Sequence, residues 1–412
     1  MLNKVFSICE VKLFFQFILL SVTLISCKPE LETADLLATT TSDDRYISMK
    51  EVHMRVPAGV PTEIFGQTFD QYMAWFDQNM MGQSKATARI AGQDRSGWEL
   101  LTQEEIMQLI INASSKYPDL SRHPLRANDL ARIRKDFPDI KTEQDVDKNG
   151  QFIFDYYSDL IKLDIAPELA KRMKAKKGGK MASSLSSNPL ENALIAWNPT
   201  SAQAVDNART MIESIIESPS FFGGSGNNDN HNANAFKHAA WNALGVWWII
   251  EFRGNKWVAL DKMKMFATAH ETVSVCDGCP RYALGYLFDD GYTITGTIPT
   301  SDDIAGDRTA MDLHNNMVGR TFMYNEVRTG WFGIVTYRPG FDRILNYLKE
   351  YACTSNRKHY RNEVLNYYGN DYGALTDWNY SADYRSTFLV SLPLNNRDGS
   401  RNDNRVDDVP CQ

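Results

Sequence analysis

The sequence predicts a mainly α protein: a multi-helix core domain preceded by a smaller helical region, with at most a small β-hairpin. Three observations carry that expectation. Ile106, Leu109, Ile110 and Ala113 recur at helical spacing behind the capping box Thr102-Gln-Glu-Glu105, whose hydroxyl and carboxylate satisfy free N–H groups of a first turn. Residues 234–252 are apolar nearly all round (Trp241, Leu244, Val246, Trp247, Ile249), as a buried helix requires. Gly/Tyr/Thr-rich, hairpin-like character is confined to residues 275–299.

Taken in order, residues 1–26 read as a lipoprotein signal peptide. Lys4 and Lys12 precede an apolar run over 13–25, too short to span a bilayer but suited to a secretory h-region. Leu24-Ile-Ser-Cys27 reads as a lipobox, whose processing attaches diacylglycerol to Cys27 and cleaves just before it. No Asp beside the cysteine signals inner-membrane retention, so the expected location is exported, lipid-anchored, at the outer membrane of a Gram-negative-type cell. Residues 27–60, rich in Thr, Ser and Asp, read as a tether, and 61–176 as an N-terminal helical region. The Gly/Ser-rich stretch 177–189 reads as a linker, 190–340 as a motif-bearing helical domain, and 341–412 as C-terminal helices and a polar tail. Further helices are expected over 200–218, 257–272, 302–325 and 340–351.

The formal charge is −7, and removing the leader's net +1 leaves about −8. So mild an acidity argues against nucleic-acid binding, which relies on Lys and Arg neutralising phosphates. The basic run 171–180 reads as a solvated helix end. After export, Cys276, Cys279, Cys353 and Cys411 suggest two disulfides, with Cys276-Asp-Gly-Cys279 closing on itself and Cys353 tethering Cys411. A zinc site at the CxxC would need a second ligand pair, and there is no second CxxC.

Four of the seven histidines fall between residues 231 and 314. Three sit in polar, helix-compatible strings: Asn234-Ala-Phe-Lys-His238-Ala-Ala-Trp241-Asn242, Ala267-Thr-Ala-His270-Glu271 and Met311-Asp312-Leu-His314-Asn315-Asn316-Met-Val-Gly319-Arg320. Residues at i, i+3 and i+4 share a helix face, so Asn234, His238, Trp241 and Asn242 form one stripe and Asp312, Asn315, Asn316 and Gly319 another. His314 is turned aside from the second stripe, His231 lies in a Gly/Asn-rich loop, and Gly319 allows close approach to the backbone. The inner set is then His238, His270, Glu271, Asp312 and Asn316. His238, His270, Glu271 and Asp312 suit zinc or a similar divalent ion with an open position for water. Without metal, a histidine can act as general base oriented by Glu271 or Asp312, while Asn315 and Asn316 orient substrate or water. A buried polar network locking three helices in register would use the same residues.

These strings resemble the uncharacterised bacterial domain-of-unknown-function family 6973, whose members carry D/N-A-F-R-H-A-x-W-N-A, then A-H-E, then M-D-L-x-N-N-x-V-G-R. The resemblance covers about residues 188–330, and its departures, Asn234 for Asp and Lys237 for Arg, are mild. It implies a shared site. It implies no activity, because the family has no established reaction.

Elsewhere, Asp145, Asp147, Asn149 and Gly150 have the spacing of half a calcium loop, but position twelve is Tyr156 rather than Glu; an Asx-turn between helices explains the same residues. The glycines at 223–226 lack a phosphate loop's lysine, and there is no G-x-S-x-G elbow. The chain is therefore expected to be a membrane-anchored lipoprotein with a hydrolase-like site for an ester or phosphodiester. The alternative is a non-enzymatic surface lipoprotein that binds a protein or glycan partner.

Overall fold

A computed structural model describes residues 45–82 (except 50), 97–178, 188–218, 222, 231–272, 281–287, 293–300, 304–330, 334–377 and 387–410 (except 404 and 406). The chain divides into two compact units. The smaller contains the antiparallel hairpin β1 (Arg45–Met49) and β2 (Val52–Val56) and residues 136–139. Within it Arg55 Nε donates to the buried Asp136 carboxylate at 2.8 Å, and His53 Nδ1 lies 2.8 Å from Asp139 Oδ2. The stretch expected to be a tether to residue 60 thus ends in an ordered hairpin, with Ile47, Met54 and Val56 buried. The signal peptide, Cys27 and the rest of the tether lie outside the described residues.

The larger unit is mainly α, as the periodicity predicts. Its first part has α1 (Phe69–Phe76), α2 (Gln103–Ser114), α3 (Ala127–Asp136, whose last residue belongs to the smaller unit), α4 (Glu143–Lys148) and the 29-residue α5 (Gly150–Gly178). The Thr102 box forms: Thr102 Oγ1 accepts from Glu105 N–H at 3.2 Å, and Glu105 accepts from Thr102 N–H at 2.9 Å. There follow α6 (Pro189–Trp197), α7 (Pro199–Glu217), α8 (Asn232–Glu251), α9 (Lys256–Glu271), α10 (Ile304–Glu326), α11 (Phe341–Thr354), α12 (Arg361–Asn366) and α13 (Tyr372–Leu375). Helices α2 and α5 pack on both α6 and α7, so the two sides of the expected linker lie in one unit. Residues 179–187 of that linker are outside the described residues.

The expected hairpin is present as β3 (Arg281–Leu287) and β4 (Thr293–Pro299), antiparallel. Two further two-stranded sheets were not foreseen: β5 (Arg328–Thr329) with β6 (Val335–Tyr337), and a parallel pair, β7 (Asn356–Lys358) with β8 (Leu389–Ser391). Helix α8 is the hub, touching α7, α9, α10, α11 and β8. Close packing at the hub depends on two glycines: a Cβ on Gly319 would overlap the Ala239 carbonyl, and one on Gly245 would overlap the Met263 sulfur.

Candidate functional site

Three helices bring the site together. His238 comes from the middle of α8, Glu271 is the last residue of α9, and Asp312 and Asn316 sit one turn apart on α10. The close α8–α10 contact at Gly319 and the burial of α10 on nearly every side hold the first and third elements in register. The end of α9 is fixed from α6. Asn188, the N-cap of α6, accepts from the N–H groups of Leu190 and Glu191, while its amide donates to the carbonyls of Ala269 and Thr272.

His238 Nε2 lies 3.2 Å from Asp312 Oδ1, and its Nδ1 lies 3.3 Å from Asn316 Oδ1 and 3.8 Å from Glu271 Oε1. One ligand atom from each of His238, Glu271 and Asp312 falls within 4.8 Å of the others. Zinc bonded to such atoms at about 2.0–2.2 Å places tetrahedral neighbours roughly 3.4 Å apart, close to the 3.2 Å between His238 Nε2 and Asp312 Oδ1. The side chains of His238 and Asp312 keep 13% and 14% exposure, which leaves the cluster an opening to solvent. Burial pushes His238 down to about 3, with His270 and Lys237 adding to the effect, so the ring is neutral at physiological pH. Burial likewise pushes the Glu271 carboxyl up.

His270 departs from the expected ligand set. Its Nδ1 lies 3.3 Å from both carboxylate oxygens of buried Glu191, its side chain is half exposed, and it meets Trp241 edge to face at 5.5 Å. The Glu191 carboxylate raises it to about 9 against the opposing effect of burial, so it is a cation at the edge of the cluster. Adjacent helical residues point about 100° apart, and the helix that aims Glu271 inward therefore aims His270 at α6. Asn315 is also elsewhere. Its amide donates to Val390 O at 2.8 Å and accepts from Val390 N–H at 2.9 Å, continuing the edge of β8.

His314 is turned aside, as its position on the helix implies, and is fully buried against Phe388. His231 stands at the end of its loop as the N-cap of α8, accepting the Ala233 N–H on Nδ1 at 3.0 Å, and residues 223–230 are outside the described residues. The calcium-loop expectation fails because residues 143–148 are helix. Asp145 caps it by accepting from Thr142 N–H at 2.8 Å, Asp147 pairs with Arg253, and Asn149 donates to Asp145 O at 2.8 Å. Cys353 lies near the end of α11, while Cys276, Cys279 and Cys411 are outside the described residues.

Two participants were missed. Glu191 is the lone charge in the apolar run 189–197, which was the available signal. Arg320 was read only as part of a motif; it is wholly buried, donating to Asn242 Oδ1 at 2.6 Å and to Thr376 O at 2.8 Å. Residues 193–330 match the family model described as "Domain of unknown function (DUF6973)", a span that includes His238, Glu271, Asp312 and Arg320. No curated protein and no solved structure matches the chain.

Proposed function

We propose that this chain is an exported lipoprotein, anchored through Cys27 at the outer membrane, that hydrolyses an ester or phosphodiester at a divalent-metal site. His238, Glu271 and Asp312 would hold the ion, zinc being the best fit to one imidazole and two carboxylates with a position left open. The observation that carries this reading is their convergence within 4.8 Å at a partly exposed point on three buried helices. Such an ion would supply a Lewis acid that lowers the pKa of a water at the open position and polarises an ester. Asn316 donates to Glu271 Oε1 at 3.2 Å and so orients a ligand carboxylate. His270, held by Glu191 at the rim, offers a cation to an anionic substrate group. The anchor would place the site outside the cytoplasm, where Cys353 and Cys411 would be able to pair.

The test uses the chain purified without its leader. Zinc or manganese uptake is quantified, and hydrolysis of bis(p-nitrophenyl) phosphate and p-nitrophenyl butyrate is measured. Asp312→Asn is expected to lower metal affinity at least tenfold and hydrolysis with it. Failure of the wild-type chain to take up either ion, or hydrolysis undiminished by Asp312→Asn, overturns the proposal.

A second reading, a binding lipoprotein without catalysis, is favoured by a cavity of about 590 Å³ whose lining includes Tyr117, Tyr157, Thr200, Trp248 and Phe252 and none of the site residues. Aromatic walls with interspersed hydroxyls suit a glycan. On that reading His238→Ala and His270→Ala each cost several kcal/mol of stability and no metal is retained.

A further inference from the structure

We infer that Arg320 is a positioning residue of this site: through Asn242 and Asn316 it sets His238 in the Nδ1–H tautomer and leaves Nε2 unprotonated beside Asp312. The consequence for metal binding rests on the reading above; the tautomer is a property of the metal-free chain.

The argument follows donors and acceptors. A guanidinium only donates, so the Asn242 atom 2.6 Å from Arg320 Nη1 is the amide oxygen. The Asn242 nitrogen then faces two acceptors, the His238 carbonyl at 3.1 Å and Asn316 at 2.6 Å. The Asn316 atom at that contact is therefore its oxygen, and its nitrogen faces Glu271 Oε1 at 3.2 Å. The same Asn316 oxygen lies 3.3 Å from His238 Nδ1, which must carry a proton to be a partner. A neutral ring protonated on Nδ1 presents a bare Nε2, and that atom lies 3.2 Å from Asp312 Oδ1. Two electron-rich atoms this close together are a pair that a shared cation would stabilise.

Arg320, Asn242 and Asn316 are wholly buried, so bulk water cannot substitute for a missing partner. Arg320 is itself anchored at Thr376 O, beyond the family-matched span. His314 provides the opposite case on the same helix. Its Nε2 lies 3.1 Å from the Phe388 carbonyl, an acceptor, and so carries the proton, while Nδ1 accepts from Tyr368 Oη at 2.7 Å.

The experiment is two-bond ¹H–¹⁵N NMR of the histidine rings in the metal-free mature chain at pH 7.5, with His238 assigned by loss of its signals in His238→Gln. Wild type is expected to show His238 as Nδ1–H and His314 as Nε2–H. Asn242→Asp keeps the Arg320 contact and the side-chain shape but cannot donate to Asn316, so His238 is expected to shift toward Nε2–H. Arg320→Gln removes the fixed donor but leaves the His238 carbonyl and the Glu271 carboxylate to orient the amides, so a smaller shift toward Nε2–H is expected, whereas Arg320→Lys, a pure donor, retains the wild-type tautomer. Cobalt titration of the folded variants is expected to show a 10–100-fold loss of affinity wherever the tautomer shifts. A wild-type His238 protonated on Nε2, or a ring unchanged in both Asn242→Asp and Arg320→Gln, overturns the inference. Should Asn242→Asp fail to fold, the glutamine and lysine pair decides alone. An Nδ1–H ring in a wild type that takes up no cobalt would instead remove the metal reading and leave the role of Arg320 intact.

Discussion

Each histidine takes its chemistry from what touches it. His314 is buried and His238 partly exposed, both neutral, yet their partners impose opposite tautomers, and His270 is cationic because Glu191 is beside it. Burial also holds His314 down to about 4, which has a consequence for stability. An unfolded His314 takes up a proton near pH 6.5, while the folded ring refuses it until about pH 4. Its contribution is therefore fully present above pH 6.5 and is lost as the pH falls through that window. His238 acts with the same sign over a wider range. At about 1.4 kcal/mol per pH unit per group, His314→Gln should lose roughly 2–3 kcal/mol less stability than wild type between pH 7 and pH 4.5. Urea unfolding at the two pH values measures this; equal losses would assign the acid sensitivity to other groups.

At the level of elements, most of the fold was legible in the sequence. Apolar spacing placed the helices of residues 200–351 within a few residues of their observed ends, because a helix face is written in the i, i+3, i+4 pattern of one segment. The 45–56 hairpin was not legible: its strands are five residues each, and flanking polar residues conceal so short an alternation. Gly319 was read as a point of close approach, and α8 lies against it. A methyl group there would meet a backbone carbonyl, which has no rotamer to move into. Gly319→Ala is accordingly expected to cost about 3 kcal/mol, at the upper end for overpacking, with loss of metal binding in parallel. A melting temperature unchanged from wild type would show that α8 and α10 can separate freely.

At the level of the whole molecule, the family-matched span is not self-sufficient. Between them, His314, Asn315 and Arg320 of α10 use Tyr368, Phe388, Val390 and Thr376, and the end of α9 is tied down by Asn188, all outside residues 193–330. A fragment of residues 193–330 would leave those buried polar groups without partners, at roughly 1–3 kcal/mol each. It is expected to show no cooperative thermal transition and no metal uptake by circular dichroism and cobalt titration, whereas residues 45–412 show both. A stable, metal-binding fragment would contradict this dependence.

The sequence by itself determined the helical class, the Thr102 cap, the polar stripes on α8 and α10, and most of the inner set, since each of these is a local regularity. It also put His314 aside, as helical geometry alone requires. Only the tertiary structure decided that His270 belongs to Glu191, 79 residues away, that Asn315 extends β8, and that Arg320 orients the amides between itself and His238. Helical periodicity says which way a side chain points from its own axis. What it points at is set by packing between segments far apart in the chain, and for a buried polar group that partner decides its protonation, its orientation and its use.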